Sequence, residues 1–390
     1  MRIESIRLKN FRVFNDATLS NIPGFCVLVG ANGSGKSTLF DVFNFLQHCL
    51  QHNVSKALNR RGGFKEVVSR GATGPIEIEI KFRASDKRLA TYFLQISEEK
   101  GRGVVEREIL KLRRGQHGSP WHFLDFSRGK GEAVVNEAED TPYELLKREP
   151  QSLAASDILA IKGLGQFPKF KTANEFSGLL EGWHVSDFHI QSARSSSEDG
   201  VSEHLSRNGD NLDQVAQYLA EFHPDIFSTI KEKMAQRVPG VEKMDVRPTE
   251  DGRLLLRFQD GAFKDPFIAK YVSDGTLRMF AYLVLLHDPT PFPLLAVEEP
   301  ENQLYPDLMA ELAEEFREYA ERGGQVFVST HSPDFLNYVD LSEIFWLAKK
   351  EGFSDIRHAG EDPLLRQLVE EGETPGRLWK QGRLRGAGPR

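Results

Sequence analysis

Cysteine is scarce. Only Cys26 and Cys49 occur in 390 residues, and their spacing fits neither a metal site nor a disulfide framework. A disulfide-stapled scaffold and a zinc module are thereby excluded, and two reduced core thiols suit a cytoplasmic protein. Long apolar runs are missing too. The longest, residues 279–286, is far short of a membrane span, and residues 1–8 lack the apolar segment of a signal peptide, so no membrane partner is expected. Net positive charge is also lacking. At −7 the chain has no global basic signature for nucleic acid, which leaves only local patches. There is no internal repeat, sustained heptad pattern or long low-complexity tract. The length suits one large α/β domain or two smaller ones around a substantial core.

What is present is organised around Gly30-Ala31-Asn32-Gly33-Ser34-Gly35-Lys36-Ser37-Thr38, which fits the phosphate-binding pattern G-x-x-x-x-G-K-[ST]. Glycines let backbone N–H groups turn inward as a nest for phosphate oxygens, and the new helix adds its positive end. Lys36 can reach the β- and γ-phosphates, and Ser37 can place a hydroxyl on Mg²⁺. The flanks agree: residues 25–29 form an unbroken apolar run, and Leu39, Phe40, Val42, Phe43, Phe45, Leu46, Cys49 and Leu50 give a helix that is apolar almost all round.

Ahead of this loop, residues 3–8 and 11–19 read as two short strands. Arg12, between Phe11 and Val13, reads either as an exposed strand arginine or as one approaching the nucleotide. From 62 to 115 the period becomes two, with Ile76, Ile78, Ile80 and Phe82 alternating with Glu77, Glu79 and Lys81, which predicts an antiparallel lobe. The stretch at 115–182 is less patterned. It carries polar loops at 115–120 and 128–131, an acidic run at 137–140, and helices predicted near 152–162 and 173–181. Residues 183–190 read as a return strand, followed by Gln191. A helical lobe is predicted from Leu212, Val215, Ala216 and Leu219, with a second helix around Ile226 and Ile230 and a strand at 254–258.

Three further constellations carry chemistry. Ser273 and Gly275 stand just before an apolar helix, where they read as a capping turn or as an anion-binding helix end. Residues 293–297 form a buried strand ending in Glu298 and Glu299, placed respectively to hold the Mg²⁺ shell and to orient or deprotonate a water. Residues 325–330 form another such strand with His331 at its tip. The intervening helix, with Leu308, Leu312 and Phe316 on one face, makes a β-α-β unit, so His331 should project beside Glu299 as a γ-phosphate sensor.

In this order the motifs resemble the ABC-type ATPase heads of the RecF, SMC and OLD group, and more particularly RecF-like AAA-family ATPases. The opening Leu8-Lys9-Asn10-Phe11-Arg12 is similar to their leading strands, residues 273–278 to their signature, residues 298–302 to their Walker B segment, and residues 329–333 to their switch-histidine loop. The fold implied is α/β: a P-loop NTPase of ABC-head type with a mixed central sheet, an antiparallel β lobe and a small helical lobe. Residues 1–390 would be a single head. Within it, 1–115 hold the Walker A core and antiparallel lobe, 116–182 an insertion, 183–260 the return strand, Q-loop and helical lobe, and 261–390 the signature, Walker B, switch-histidine and C-terminal segments.

The resemblance also implies a mechanism in two copies, with ATP and Mg²⁺ as cofactors and a homodimer formed on ATP. Residues 30–38, with Arg12, would bind nucleotide in one copy; Ser273 and Gly275 would close on it from the other. Ser37, Glu298 and Gln191 would hold the metal, and Lys36, Glu299, His331 and Gln191 would serve the ATPase reaction. Gln47, Gln51 and Gln166 remain alternatives to Gln191 by spacing. No coiled-coil arm is expected, and the stretch after His331 is too short for a Toprim nuclease domain. A nuclease or effector would therefore be a separate partner. DNA is an open partner through Arg60-Arg61, Lys87-Arg88, Arg113-Arg114, Arg377, Lys380, Arg383 and Arg385. DNA repair and antiphage defence both fit. The competing readings are a transporter-coupled ATPase subunit, an ATP-binding scaffold and a small-molecule kinase.

Overall fold

The computed structural model describes residues 1–84, 87–112, 121–135, 147–194, 196–198 and 200–388. The basic pair Arg113-Arg114, the loop at 115–120 and the acidic run at 137–140 lie outside them. The chain divides into two compact units, Met1–Trp183 with Asp340–Arg390, and His184–Val339.

The first unit opens with a hairpin of Arg2–Phe11 and Phe14–Ser20, paired from Ser5↔Ser20 to Phe11↔Phe14. Asn10 (φ 57°) and Arg12 (φ 47°) adopt left-handed backbone at its tip. Arg12 is thus a turn residue and not the strand arginine its neighbours predicted, because two aromatic anchors, Phe11 and Phe14, are both buried and force the reversal between them. The hairpin does not stand alone. It opens an eight-stranded antiparallel sheet continued by Ile76–Arg83, Leu89–Glu99, Arg102–Leu112, Trp121–Ser127, Lys130–Val135 and Lys147–Ser152. The period of two at Ile76, Ile78, Ile80 and Phe82 puts all four on the buried face. That face receives Phe176 of the helix Lys171–Glu181, whose ring lies 4.6 Å from both Phe82 and Tyr92. The helix predicted at 152–162 is instead the end of a strand followed by the short helix Ala160–Leu164. Glu108, buried in the sheet, accepts the N–H groups of Ala160 and Ile161 there, a long-range anchor with no local signature.

Phe25–Val29, wholly buried, pairs in parallel with Ile344–Lys350, which pairs antiparallel with Phe353–His358, so this sheet portion is mixed. The helix Lys36–Gln51 follows the phosphate loop and buries nine of its residues, among them Phe40, Phe43 and Phe45. At roughly 1.5–3 kcal/mol per buried large apolar side chain, that burial holds the helix without help from a side-chain cap. Cys26 and Cys49 are free and buried, and burial pushes both thiols up.

In the second unit Leu294–Glu298 and Val326–Thr330 pair in parallel, from Leu295↔Val326 to Glu298↔Ser329, and are joined by the helix Met309–Glu321. Leu212–Phe222 and Pro224–Arg237 form the predicted helical lobe. A three-stranded antiparallel sheet, Val241–Pro248, Leu254–Asp260 and Phe267–Ile268, leads into the helix Asp274–Leu286. Buried Glu315 fastens the lobe to the crossover helix. Its Oε1 meets Lys233 Nζ at 2.5 Å and an Arg237 nitrogen at 2.7 Å, and its Oε2 meets His287 Nε2 at 3.0 Å. The return strand is shorter than predicted: Trp183–Ser186 is strand and Ile190–Ala193 is a single helical turn. Among the described residues no helix is long and apolar enough to cross a membrane.

Candidate functional site

The glycines of the phosphate loop are there for two different physical reasons. A Cβ on Gly30 would sit 2.5 Å from Ser34 Oγ and 2.8 Å from the Leu347 carbonyl, so the constraint is close approach. Gly33 and Gly35 have φ of 76° and 105°, which an L side chain rarely adopts. At Gly35 a Cβ would also press on Val13 Cγ2 at 2.8 Å. Ser354 Oγ donates to the Ser34 carbonyl at 2.6 Å and pins the loop to the strand Phe353–His358. Lys36, buried, folds back so that Nζ donates to the carbonyls of Gly30 at 2.7 Å and Ala31 at 3.3 Å.

The helix Lys36–Gln51 begins after Gly35, which has no side chain to cap it, so the positive end of the helix faces the loop. Ser34 Oγ is buried, with no hydrogen-bond partner among the described residues. A buried hydroxyl, the positive end of a helix and an ammonium held over loop carbonyls fit a polyphosphate. Ala31 is half-buried and Asn32 exposed on the rim; Ser37 is exposed and Thr38 half-buried on the first helical turn. Arg12 lies beside this helix. One of its nitrogens is 3.0 Å from Asp41 Oδ2, and Asp41 also accepts from Arg61 at 2.6 Å. Arg61, only 6% exposed, is therefore a buried structural partner, which removes it from the predicted basic surface; Arg60 beside it is exposed.

The acids of the second unit sit at the tip of its parallel strands. Glu298 is exposed. Glu299 turns out of the strand at φ 45°, with its N–H on the Ser329 carbonyl at 2.9 Å. This conformation is uncommon for a non-glycine residue, and such strain concentrates at functional positions. Its carboxylate is held from both sides, by His331 Nε2 at 3.2 Å and by Asn302 Nδ2 donating at 2.9 Å. The sequence placed Glu299 and His331 side by side, and in this unit they are. It missed Glu301, whose Oε1 accepts from Thr330 Oγ1 at 2.7 Å and from the His331 N–H at 2.8 Å, bracing the histidine loop. Burial pushes the Glu301 carboxyl above the usual range. Only its place three residues after Glu298 could have marked it.

Ser273 caps the helix Asp274–Leu286: its Oγ accepts the Thr276 N–H at 3.1 Å. A Cβ on Gly275 would lie 2.7 Å from the Gln303 carbonyl, so this helix start is pressed against the loop that follows the acids. Gln191 is exposed on the turn Ile190–Ala193, and no hydrogen bond of its side chain joins it to Glu298, Glu299 or His331 among the described residues. Of the alternatives, Gln47 is committed elsewhere, donating to the carbonyls of Trp183 at 2.6 Å and Leu180 at 3.2 Å; Gln51 and Gln166 are exposed. Among the described residues no group of three or more His, Cys, Asp or Glu could hold a metal unaided. Mg²⁺ accepts hydroxyl, carboxylate, water and phosphate oxygens, and Ser37 of the first unit and Glu298 of the second each carry one oxygen donor of that kind.

Residues 25–337 match the protein family described as "AAA domain, putative AbiEii toxin, Type IV TA system". A DNA replication and repair protein RecF from Corynebacterium jeikeium (strain K411) is 30% identical over 139 residues, covering 32% of each chain. A DNA double-strand break repair Rad50 ATPase from Pyrococcus abyssi (strain GE5 / Orsay) is 33% identical over 120 residues, 30% of this chain and 12% of that one. The chain thus spans about a third or less of the length of these relatives. A crystal structure of an Smc head bound to the C-winged helix domain of ScpA superposes with a TM-score of 0.56 at 14% identity, covering 92% of this chain and 97% of that one. The likeness is one of fold: an α/β P-loop ATPase head built on several sheets.

Proposed function

The chain belongs to this AAA-domain family, and from that premise we propose that it is an ATP-hydrolysing switch, two copies closing on ATP and parting after hydrolysis. The observation that carries the reading is Glu299, a residue with left-handed backbone whose carboxylate is held between His331 and Asn302 at the tip of parallel strands. Lys36 exchanges the carbonyls of Gly30 and Ala31 for β- and γ-phosphate oxygens, while the loop N–H groups of residues 30–38 hold the rest. Ser37 and Glu298, with Gln191 as a further contact, would hold Mg²⁺, which would supply positive charge to the phosphate oxygens. Glu299 takes a proton from water as its oxygen attacks the γ-phosphorus and the bond to the ADP oxygen breaks, giving ADP and phosphate. His331 donates to the γ-phosphate, and Arg12 adds charge beside the phosphate-loop helix. Ser273 and Gly275 act on the nucleotide held by the second copy.

The named activities of the RecF and Rad50 relatives support DNA repair or maintenance as the setting, with antiphage defence as the other context, and with DNA or a separate nuclease or effector as partner. Of the basic positions predicted for DNA, Arg60, Lys87, Arg377, Lys380, Arg383 and Arg385 are exposed.

The test is the native mass of Glu299→Gln protein in ATP and in ADP, beside its phosphate release. Lost turnover with a dimer only in ATP supports the switch. A monomer in both nucleotides with tight ATP binding means a nucleotide-binding scaffold.

A further inference from the structure

Arg194 follows directly on the helical turn Ile190–Ala193 that carries Gln191. Its guanidinium reaches four acceptors in the segment before and at the start of the helix Asp274–Leu286. One nitrogen donates to the carbonyls of Ala269 at 3.0 Å and Lys270 at 2.7 Å; the other donates to the Val272 carbonyl at 2.8 Å and to Asp274 Oδ1 at 2.5 Å. The side chain is 16% exposed. Three consecutive-turn carbonyls and a first-turn carboxylate are thus bound by one planar fork, a geometry lysine cannot reproduce. Ala269–Tyr271 is one 3-10 turn, and Tyr271 is 70% exposed. Ser273 follows Val272 directly in the chain, so a shift of this segment moves the Ser273 end of the helix with it.

We propose that Arg194 is a positioning residue that ties the presentation of Ser273 and Gly275 toward a second copy of the chain to the state of the segment bearing Gln191. This rests on the ATP-closed dimer proposed above. When the Gln191 turn is drawn toward nucleotide, the fork carries the Ala269–Asp274 segment with it. When the turn relaxes, the signature end loses the geometry needed to close. Arg194 touches no nucleotide; its effect falls on closure and leaves binding alone.

The experiment compares Glu299→Gln with Glu299→Gln/Arg194→Ala, Glu299→Gln/Arg194→Lys and Glu299→Gln/Asp274→Asn. ATP affinity is measured at dilutions where the chain is monomeric, dimerisation by native mass and sedimentation in ATP, and folding by thermal melting. The expected result is unchanged ATP affinity with a loss of at least about tenfold in dimer affinity for Arg194→Ala, since several charge-assisted hydrogen bonds go together. Arg194→Lys restores the melting temperature without restoring the dimer, and Asp274→Asn, which keeps the three carbonyl bonds, shows a smaller loss. A double variant that dimerises as tightly as Glu299→Gln overturns the coupling and leaves the switch standing. Loss of ATP affinity in parallel with the dimer, or full rescue by lysine, also overturns it. If Glu299→Gln itself never dimerises, the switch fails and the coupling with it.

Discussion

The Lys36 ammonium donates to the carbonyl of Gly30, six residues earlier, at 2.7 Å. The loop therefore supplies in advance the contact that a phosphate would replace, and Lys36→Ala removes that exchange. The expected result is ATP affinity lower by about 10- to 100-fold, the range for one hydrogen bond to a charged group. Equilibrium binding of a fluorescent ATP analogue reads it, and an affinity equal to wild type would remove Lys36 from the site.

The loop of His331 is braced by half-buried Glu301, yet the histidine ring is half-exposed beside Glu299. His331→Ala should therefore spare folding and ATP affinity while lowering kcat by about 100-fold, as loss of one transition-state donor does. A thermal melt shifted by many degrees would instead make the histidine a structural residue.

Glu315 is a buried carboxylate. Burial alone pushes its carboxyl up, but hydrogen bonds from His287 and Lys233 and the charge of Arg237 more than reverse this, to about 2 against an ordinary 4.5. The native state then binds fewer protons than the unfolded chain between those values, so this contribution is full above about pH 4.5 and is lost as the pH falls toward 2. Glu315→Gln should lower stability at neutral pH by roughly 3 kcal/mol, because Lys233 and Arg237 lose their anionic partner. Urea unfolding at pH 7 and pH 3 tests both statements: the variant should lag wild type clearly at the first pH and much less at the second.

Glu108 titrates the other way. Burial pushes its carboxyl up to about 7, opposed by the N–H groups of Ile161 and Ala160 and by the Tyr92 hydroxyl. Between 4.5 and about 7 the native state keeps a proton that the unfolded chain has lost, so stability falls as the pH rises through that window. The slope amounts to on the order of 3 kcal/mol in all. Glu108→Gln should flatten the decline of melting temperature between pH 5 and pH 8; a variant with the wild-type slope would refute the assignment.

The sequence by itself determined what local pattern can encode. The unbroken apolar run Phe25–Val29, the glycines at 30, 33 and 35 and the apolar helix after Lys36 specify strand, loop and helix in one continuous stretch, because backbone sterics and burial act over a few residues. The β-α-β unit that sets Glu299 beside His331 was readable for the same reason: two short buried strands with one amphipathic helix between them leave little choice of pairing.

Only the tertiary structure decided which polar side chains are spent on holding the fold. Arg61 looked like half of a surface basic pair and is buried against Asp41; Gln47 had the right residue type for a metal-side glutamine and is bound to three backbone carbonyls, of Leu180, Glu181 and Trp183. Glu108 binds a helix start more than fifty residues away, and Arg194 binds a segment more than seventy residues away. A buried charge or amide must find a partner, but nothing in its neighbours along the chain says which one, since the partner is set by where distant segments pack. Periodicity reports which face of an element is buried; the pairing of its polar groups is settled only when the elements meet.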